Sequence, residues 1–140
     1  MIFVLVDTPL TTDSENFYDH SKLSNVLSQI NKLKVSNKNI IISCTIMPTY
    51  IDNIAKLLVC DCPNTTVNYN PSFVSQGNVI TNILYPDIVL LGADNSDIGY
   101  ILQTLYINMC KNTPIMCVMN PIESEIVKIR DSFQKLREQV

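Results

Sequence analysis

The side chains that most often carry out chemistry in proteins are few and scattered in this sequence. Its single histidine, His20, follows Asp19, and no nucleophile stands near it in sequence. We therefore expect a solvated residue there rather than a catalytic base. Cys60 and Cys62 form a C-x-C pair with no second pair to accompany it. Because tetrahedral zinc needs four good ligands, the sequence predicts no metal site.

The remaining candidates are hydroxyl and ammonium groups at the ends of predicted elements. Thr45 follows one predicted strand, where its hydroxyl would bond to the backbone, and Thr8-Pro9 would simply end another. Glu125 and Lys128 stand three residues apart on a predicted helix. That spacing suits an ordinary surface ion pair worth only about 0.2–0.5 kcal/mol. Local sequence alone therefore leaves a structural role open for each of these residues.

The elements that position these residues alternate between strand and helix. Apolar runs predict five strands: Ile2–Val6, Asn39–Ser43, Thr65–Tyr69, Ile88–Leu91 and Ile115–Val118. Helices are predicted between them, one capped by Ser21, one following Pro48, one capped by Asp94 or Asn95, and a last one that begins at Pro121. This alternation predicts an α/β fold with a mostly parallel sheet, in a single domain spanning residues 1–140.

Composition limits the classes of function. The 140 residues are 46% hydrophobic and 16% charged, with a net charge of -3, which is typical of a globular protein. This charge excludes the basic footprint that nucleic-acid binding requires. An odd number of cysteines, five, favours a reduced, intracellular setting. The apolar opening is too short to cross a membrane and has no basic leader, so we expect a cytoplasmic protein without a signal peptide.

The stretch from Val67 to Gly92 is the most informative part of the chain. It predicts a strand, an Asn70-Pro71 break, a loop containing Gly77, a short helix and a second strand. It resembles the substrate loop of the UDP-glucose/GDP-mannose dehydrogenase family, in which Asn-Pro-Glu-Phe-Leu-x-Glu-Gly is followed by Pro-Asp-x-Ile-Val-Ile-Gly. Eight positions match that pattern: Asn70, Pro71, Phe73, Gly77, Pro86, Asp87, Val89 and Gly92.

Three further segments resemble the same family, in the same order along the chain. Thr8-Pro9 resembles the turn of its Val-x-Thr-Pro-Thr, Thr45 the threonine of its Ser-Thr-Val-Pro-x-Gly-Thr, and Glu125 and Lys128 its Ala-Glu-Leu-x-Lys. The resemblance implies a partial Rossmann-like, doubly wound sheet of about five strands with a C-terminal connecting helix. It also implies catalytic roles for Thr45 and Lys128, substrate contacts at Ser72, Phe73, Val74, Gln76 and Lys128, and cofactor contacts at Thr8, Pro9, Thr45 and Gln76.

The sequence departs from the family where chemistry would occur. Ser72 and Gln76 replace the two glutamates of the substrate loop, and neither side chain takes up a proton near neutral pH. The three glycines, at positions 77, 92 and 99, cannot build the G-x-G-x-x-G turn that cradles the NAD pyrophosphate. No cysteine has the Gly-x-Cys-x-x-Lys-Asp setting of the family's nucleophile. The family uses NAD, but we expect no cofactor on the isolated chain.

These departures favour a truncated, non-catalytic homologue that acts as a structural or interaction subunit. One alternative is a part of a split nucleotide-sugar dehydrogenase; another is a nucleotide-sugar binding module. Without a first βαβ unit, the strand at residues 2–6 would lie at a sheet edge, which is prone to pair with another chain. The last helix carries an apolar seam of Ile122, Ile126, Ile129, Phe133 and Leu136. We therefore expect a second copy or a separately encoded N-terminal half to bind at residues 2–6 and 122–138.

Overall fold

A computed structural model of the chain describes residues 1–12 and 17–138 and contains one five-stranded sheet. The strands lie in sequence order across the sheet: β1 Ile2–Val4, β2 Asn39–Ile42, β3 Thr66–Tyr69, β4 Ile88–Gly92 and β5 Ile115–Met119. All neighbouring strands are parallel except β3 and β4, which run antiparallel and pair only through Tyr69 and Gly92. The predicted mostly parallel sheet of about five strands is confirmed, with β1 at one edge.

Five helical segments connect and cover the strands. They are α1 Ser21–Lys32, α2 (π-helical over Ile51–Ala55 and α-helical over Lys56–Leu58), α3 Val79–Leu84, α4 Ser96–Met109 and α5 Pro121–Glu138. In the part of the chain that the structure describes, none of them is long and apolar enough to cross a membrane.

The core lies on both faces of the sheet because β2 carries buried isoleucines that point to either face. Ile40 and Ile42 join one cluster, formed with α1, α2 and the neighbouring strands. Ile41 points to the opposite face and packs with β4 and α4 through Val89 and Leu102. A continuous apolar run is therefore required at β2, as is usual for a strand covered on both faces.

Helix caps follow the sequence signals in two cases and depart from them in one. Asn95 caps α4 by accepting a hydrogen bond from the Ile98 amide at 3.1 Å, as predicted. Pro121 begins α5, also as predicted. The prediction that Ser21 caps α1 is wrong, because Ser21 is the first helical residue. The Asp19 carboxylate accepts the Ser21 amide at 2.8 Å and so satisfies a donor that the helix leaves unpaired.

Helix α5 turns a polar stripe toward the rest of the protein and leaves part of its apolar seam exposed. Ser124, Glu125 and Lys128 are buried, whereas Ile126 is 52% exposed and Phe133 is 39% exposed. Of the seam, Ile129 is buried; the side chain of Leu136 lies outside the described residues. The inward face of this helix is thus built for specific polar contacts.

Candidate functional site

Asn70 anchors the loop that leaves β3. Its amide nitrogen donates to the Leu90 carbonyl at 3.0 Å, and its amide oxygen accepts from the Tyr106 hydroxyl at 2.6 Å. Burial raises the pKa of Tyr106, which keeps its hydroxyl protonated as the donor. An asparagine can make both contacts because its amide carries a donor and an acceptor. The loop over residues 70–77 is therefore fixed against β4 and α4 from its first residue.

Lys128 of α5 contacts this loop directly. Its ammonium donates to the Ser72 carbonyl at 3.0 Å and lies 4.3 Å from the centroid of the Phe73 ring. The side chain is only 9% exposed, and this burial lowers the pKa of Lys128. A cation over an aromatic face is stabilised by the ring quadrupole, the more so when water is excluded. Two segments separated by more than fifty residues thus meet at one buried positive charge.

The charge around Lys128 is extended by the next turn of α5. Asp131 lies 3.0 Å from the Lys135 ammonium and 4.0 Å from that of Lys128, and Lys135 is 5.5 Å from the centre of the Phe73 ring. Two cations therefore lie near the Phe73 ring, with the Asp131 carboxylate close to both, and Asp87 adds a second carboxylate to the cavity beside them. A cavity of about 310 Å³ opens here between the 70–74 loop, the start of β4, α4 and the second half of α5.

The structure brings together most of the predicted substrate contacts. Ser72 and Phe73 touch Lys128, and Val74 lines the same cavity. Gln76 lies at the exposed end of the loop beside Gly77, whose φ of +88° a larger residue rarely adopts. The predicted substrate contacts of these residues remain predictions. Ser72, Phe73 and Val74 line one cavity, and Lys128 contacts the first two of them.

The turn that carries Thr45 is held by side chains from three other elements. Thr45 itself is half-buried just after β2. The Tyr69 hydroxyl lies 3.4 Å from the Ile46 amide, and Nε2 of His20 accepts from the Met47 amide at 3.3 Å. His20 also packs on the Tyr50 ring, with centroids 4.6 Å apart. The expectation of a solvated histidine is therefore wrong.

His20 accepts this hydrogen bond through an unprotonated ring nitrogen. Burial lowers its pKa and so favours the neutral imidazole that the Met47 amide requires. His20 therefore holds the backbone of the turn. This role does not depend on a nucleophile nearby. Sequence reasoning missed this role because the contact joins residues 27 positions apart.

Glu125 holds the far end of the same turn. One carboxylate oxygen accepts the Thr49 amide at 2.7 Å, the other accepts the Ile51 amide at 2.9 Å, and the residue is 1% exposed. Burial raises its pKa, while the two amides oppose that shift. The interpretation of Glu125 and Lys128 as a surface ion pair is wrong, because both are buried and bind different partners.

Thr8 and Pro9 occupy the loop after β1, at the edge of the sheet where β2 also ends. Thr8 is half-buried, Pro9 is exposed, and the Pro9 carbonyl accepts the Asp19 amide at 2.8 Å. The Ser72 amide lies 3.4 Å from the Ser43 carbonyl, which links the loop after β3 to the end of β2. The loops after the first three strands thus leave at one edge, where open α/β sheets place ligands.

The glycines do not provide a place where backbone approaches a phosphate. The space beside Gly92 is filled by the Ser124 hydroxyl, and that beside Gly99 by Val118 and Ala93. Gly77 precedes a helix of only six residues. The residues described here therefore do not fit the pyrophosphate of NAD, whose usual cradle is a glycine turn at the start of a longer helix.

In the described residues the cysteines form no metal centre, and two of their thiols have a raised pKa. All five thiols are free, and no group of three or more histidine, cysteine or acidic side chains there could hold a metal ion. Burial raises the pKa of Cys44 to about 11, and it also raises that of Cys110. A thiol with a raised pKa is a poor nucleophile near neutral pH.

This fold and this loop are those of the NAD-binding domain of one protein family. The model of the UDP-glucose/GDP-mannose dehydrogenase family, NAD binding domain, matches residues 1–110, and the chain belongs to this family. This confirms the resemblance seen in the sequence.

Individual relatives agree with this assignment. The chain is 28% identical over 130 residues to a UDP-glucose 6-dehydrogenase of Rickettsia bellii, covering 91% of this chain and 29% of that protein. It is 28% identical over 138 residues to a putative UDP-glucose 6-dehydrogenase of Bacillus subtilis, covering 95% and 31%. The chain therefore spans less than a third of the length of these relatives.

Solved structures confirm the fold. A GDP-mannose dehydrogenase from Pseudomonas aeruginosa superposes with a TM-score of 0.82 at 17% identity, over 97% of this chain and 32% of that one. A UDP-glucose dehydrogenase from Pyrobaculum islandicum gives a TM-score of 0.79 at 20% identity, over 92% and 30%. The partial Rossmann-like sheet expected from the resemblance is thus the arrangement found in solved dehydrogenases.

Proposed function

We propose that this chain is a non-catalytic member of the nucleotide-sugar dehydrogenase family that holds a sugar nucleotide at the 70–77 loop and acts together with another chain. The observation that carries the proposal is the contact of Lys128 with Ser72 and Phe73, both of which line the cavity. Sugar nucleotides carry a diphosphate and several hydroxyl groups. Buried lysines near a ring and a cavity supply charge-assisted hydrogen bonds to such oxygens.

The size of the cavity limits what it holds. At about 310 Å³ it lies at the lower end of small-molecule sites, which suits a sugar with part of its diphosphate better than a whole nucleotide. Lys128 and Lys135 approach the same ring from one helix, so a phosphate placed there would meet two cations and would compete with the Asp131 carboxylate for them. The base would then lie outside the cavity, where a second chain would contact it.

Turnover by the isolated chain would require groups that these residues do not supply. Oxidation of a primary alcohol to an acid needs a hydride acceptor, a base and a nucleophile that holds the intermediate. Ser72 and Gln76 are neutral, and the thiol of Cys44 is buried with a raised pKa. We therefore expect binding without oxidation.

Two surfaces suit association with another chain. Strand β1 lies at the sheet edge and exposes Phe3, and Leu5, the residue after the strand, is 70% exposed. On α5, Ile126 and Phe133 of the apolar seam are also exposed. Unpaired strand edges and exposed apolar patches are typical sites of association. The partner is a second copy or the N-terminal half of a dehydrogenase.

Calorimetry with UDP-glucose and GDP-mannose tests the binding part of the proposal. We expect one of them to bind, and Lys128→Met to weaken it by about tenfold or more, because a charge-assisted hydrogen bond of about 1.5–3 kcal/mol is lost. Lys22→Met is the matched control, since Lys22 is exposed and its ion pair among the described residues is with Asp7, at 3.5 Å. Absence of heat at millimolar ligand, or equal affinity in both variants, would remove the proposed site.

A second candidate is one part of a split dehydrogenase, which the exposed edge of β1 favours. In that case an N-terminal half would pair with β1, other chains would supply NAD binding and the nucleophilic cysteine, and Thr45 and Lys128 would position the substrate. Sedimentation of the chain with these partner chains, followed by an assay for NADH, distinguishes the two. A complex that reduces NAD supports the split enzyme, and a complex without activity supports the non-catalytic subunit.

A further inference from the structure

We propose that Glu125 is a positioning residue: it fixes the Thr45 turn to the helix that carries Lys128, and so sets the two candidate site residues relative to each other. The inference rests on the proposed function, because it concerns the same ligand site. It adds a residue that neither the loop motif nor the cavity points to.

The first support is how completely the carboxylate is used. Each oxygen accepts one backbone amide, from Thr49 at 2.7 Å and from Ile51 at 2.9 Å. A buried ionisable side chain is costly unless it is paired and hydrogen-bonded. An ordinary packing role would be met by an apolar residue, whereas these two bonds join α5 to the start of α2.

The second support is the position of Glu125 on α5. It lies three residues before Lys128, so both side chains leave the same face of the helix, about one turn apart. Glu125 reaches the turn after β2, and Lys128 reaches the loop after β3 at Ser72. One rigid turn of helix therefore determines the separation of the two loops.

The third support is the backbone of the turn itself. Thr49 has a φ of +71°, a left-handed conformation that a β-branched residue rarely adopts. In the family pattern that Thr45 matches, the residue four positions later is glycine, and here that residue is Thr49. Such a conformation persists only when its surroundings hold it. The bond from the Thr49 amide to Glu125 is one of the contacts that do so.

The start of α5 is held on the sheet by contacts of residues other than Glu125. Ser124 occupies the space beside Gly92 at the end of β4, and its hydroxyl donates to the Pro121 carbonyl at 2.6 Å. The helix is therefore docked on the sheet independently of Glu125. Loss of the carboxylate is expected to release the turn and leave α5 in place.

The test uses Glu125→Gln with amide NMR of the full chain. Glutamine keeps the length of the side chain but presents an NH₂ group to one of the two backbone donors. Glu123→Gln is the matched control on the same helix, because Glu123 is exposed and caps the Asn120 amide, which glutamine also does. Glu125→Asp, which keeps the charge with a shorter reach, serves if the glutamine variant does not fold.

In the free protein we expect the amide signals of residues 45–51 to move or broaden in Glu125→Gln, with those of 72–74 unchanged. The amides of Thr49 and Ile51 should exchange with solvent at least about tenfold faster, since one donor is left unpaired. Glu123→Gln should match the wild type, and Glu125→Asp should lie between. Unchanged signals and exchange in both Glu125 variants would overturn the inference.

The second readout is UDP-glucose binding, which a purely structural glutamate would not affect in this pattern. In wild type, ligand should shift signals at both 72–74 and 45–51. In Glu125→Gln the shifts at 72–74 should remain, those at 45–51 should vanish, and affinity should fall about tenfold. Persistent shifts at 45–51 would overturn the inference. If wild type shows no shifts at all, the proposed function fails, and the free-protein measurement alone decides the role of Glu125.

Discussion

Replacing Gly92 by alanine tests the docking of α5 on the sheet. An added Cβ would lie 2.0 Å from the Ser124 hydroxyl oxygen and 3.0 Å from the Pro121 Cα. The hydroxyl can rotate, but Pro121 Cα belongs to the backbone, so the helix must shift. Overpacking of this kind costs about 1–3 kcal/mol. For a chain of this length the melting temperature should fall by about 3–10 °C.

The same structure provides a control and a rescue. Gly99 lies inside α4, and a Cβ added there would lie 3.3 Å from the Val118 side chain. The methyl group fits after a small adjustment, and alanine has a higher helix propensity than glycine. We expect Gly99→Ala to be neutral or stabilising. In Gly92→Ala, the further change Ser124→Gly removes the closest contact and should recover part of the loss in a double-mutant cycle.

Thermal melts followed by circular dichroism compare the wild type with Gly92→Ala, Ser124→Gly, the double variant of these two and Gly99→Ala. Additive effects of Gly92→Ala and Ser124→Gly would refute the reasoning, because they would show that the two positions do not compete for one space. Equal destabilisation by Gly92→Ala and Gly99→Ala would refute it as well, since only one of the two sites is blocked by backbone.

Three other residues carry predictions. Thr49→Gly should raise the free energy of unfolding by about 0.5–1 kcal/mol in urea titrations, because relief of the left-handed strain exceeds the added chain entropy; a destabilised variant would contradict this. His20 has a lowered pKa, so its contribution is present above pH 6.5 and lost as the pH falls through the folded value; His20→Gln should flatten that slope in melts recorded against pH. Burial raises the pKa of Glu125, so its effect on stability has the opposite sign. Relative to Glu125→Gln, the wild type should lose stability as the pH rises through that pKa. A gain in stability would contradict burial as the cause of the shift.

The arrangement of the sheet could be predicted because its signals are local. The apolar run of β2 and the Asn70-Pro71 break each depend on neighbouring residues, and both appear where the sequence places them. The antiparallel orientation of β4 relative to β3 was not predicted. The two strands pair through a single pair of residues, and the composition of neither strand differs from that of a parallel strand.

The polar contacts of the site could be predicted only in part. The resemblance to the family named Lys128 and Ser72 together, and the structure brings them within a hydrogen bond. Glu125 and Tyr106 were missed, because each bonds to backbone or side chains 36 or more positions away. A helical glutamate followed three residues later by lysine looks the same in sequence whether its face is exposed or buried. Burial, which decides between the two, is a property of the assembled fold.

The proposed function is that this chain holds a sugar nucleotide near Lys128 without oxidising it. It is tested by recording NADH absorbance while the isolated chain is saturated with UDP-glucose, or with GDP-mannose, in the presence of NAD, at concentrations where calorimetry registers binding. We expect heat of binding, a lower affinity in Lys128→Met, and no NADH. Sustained formation of NADH by the isolated chain would contradict it.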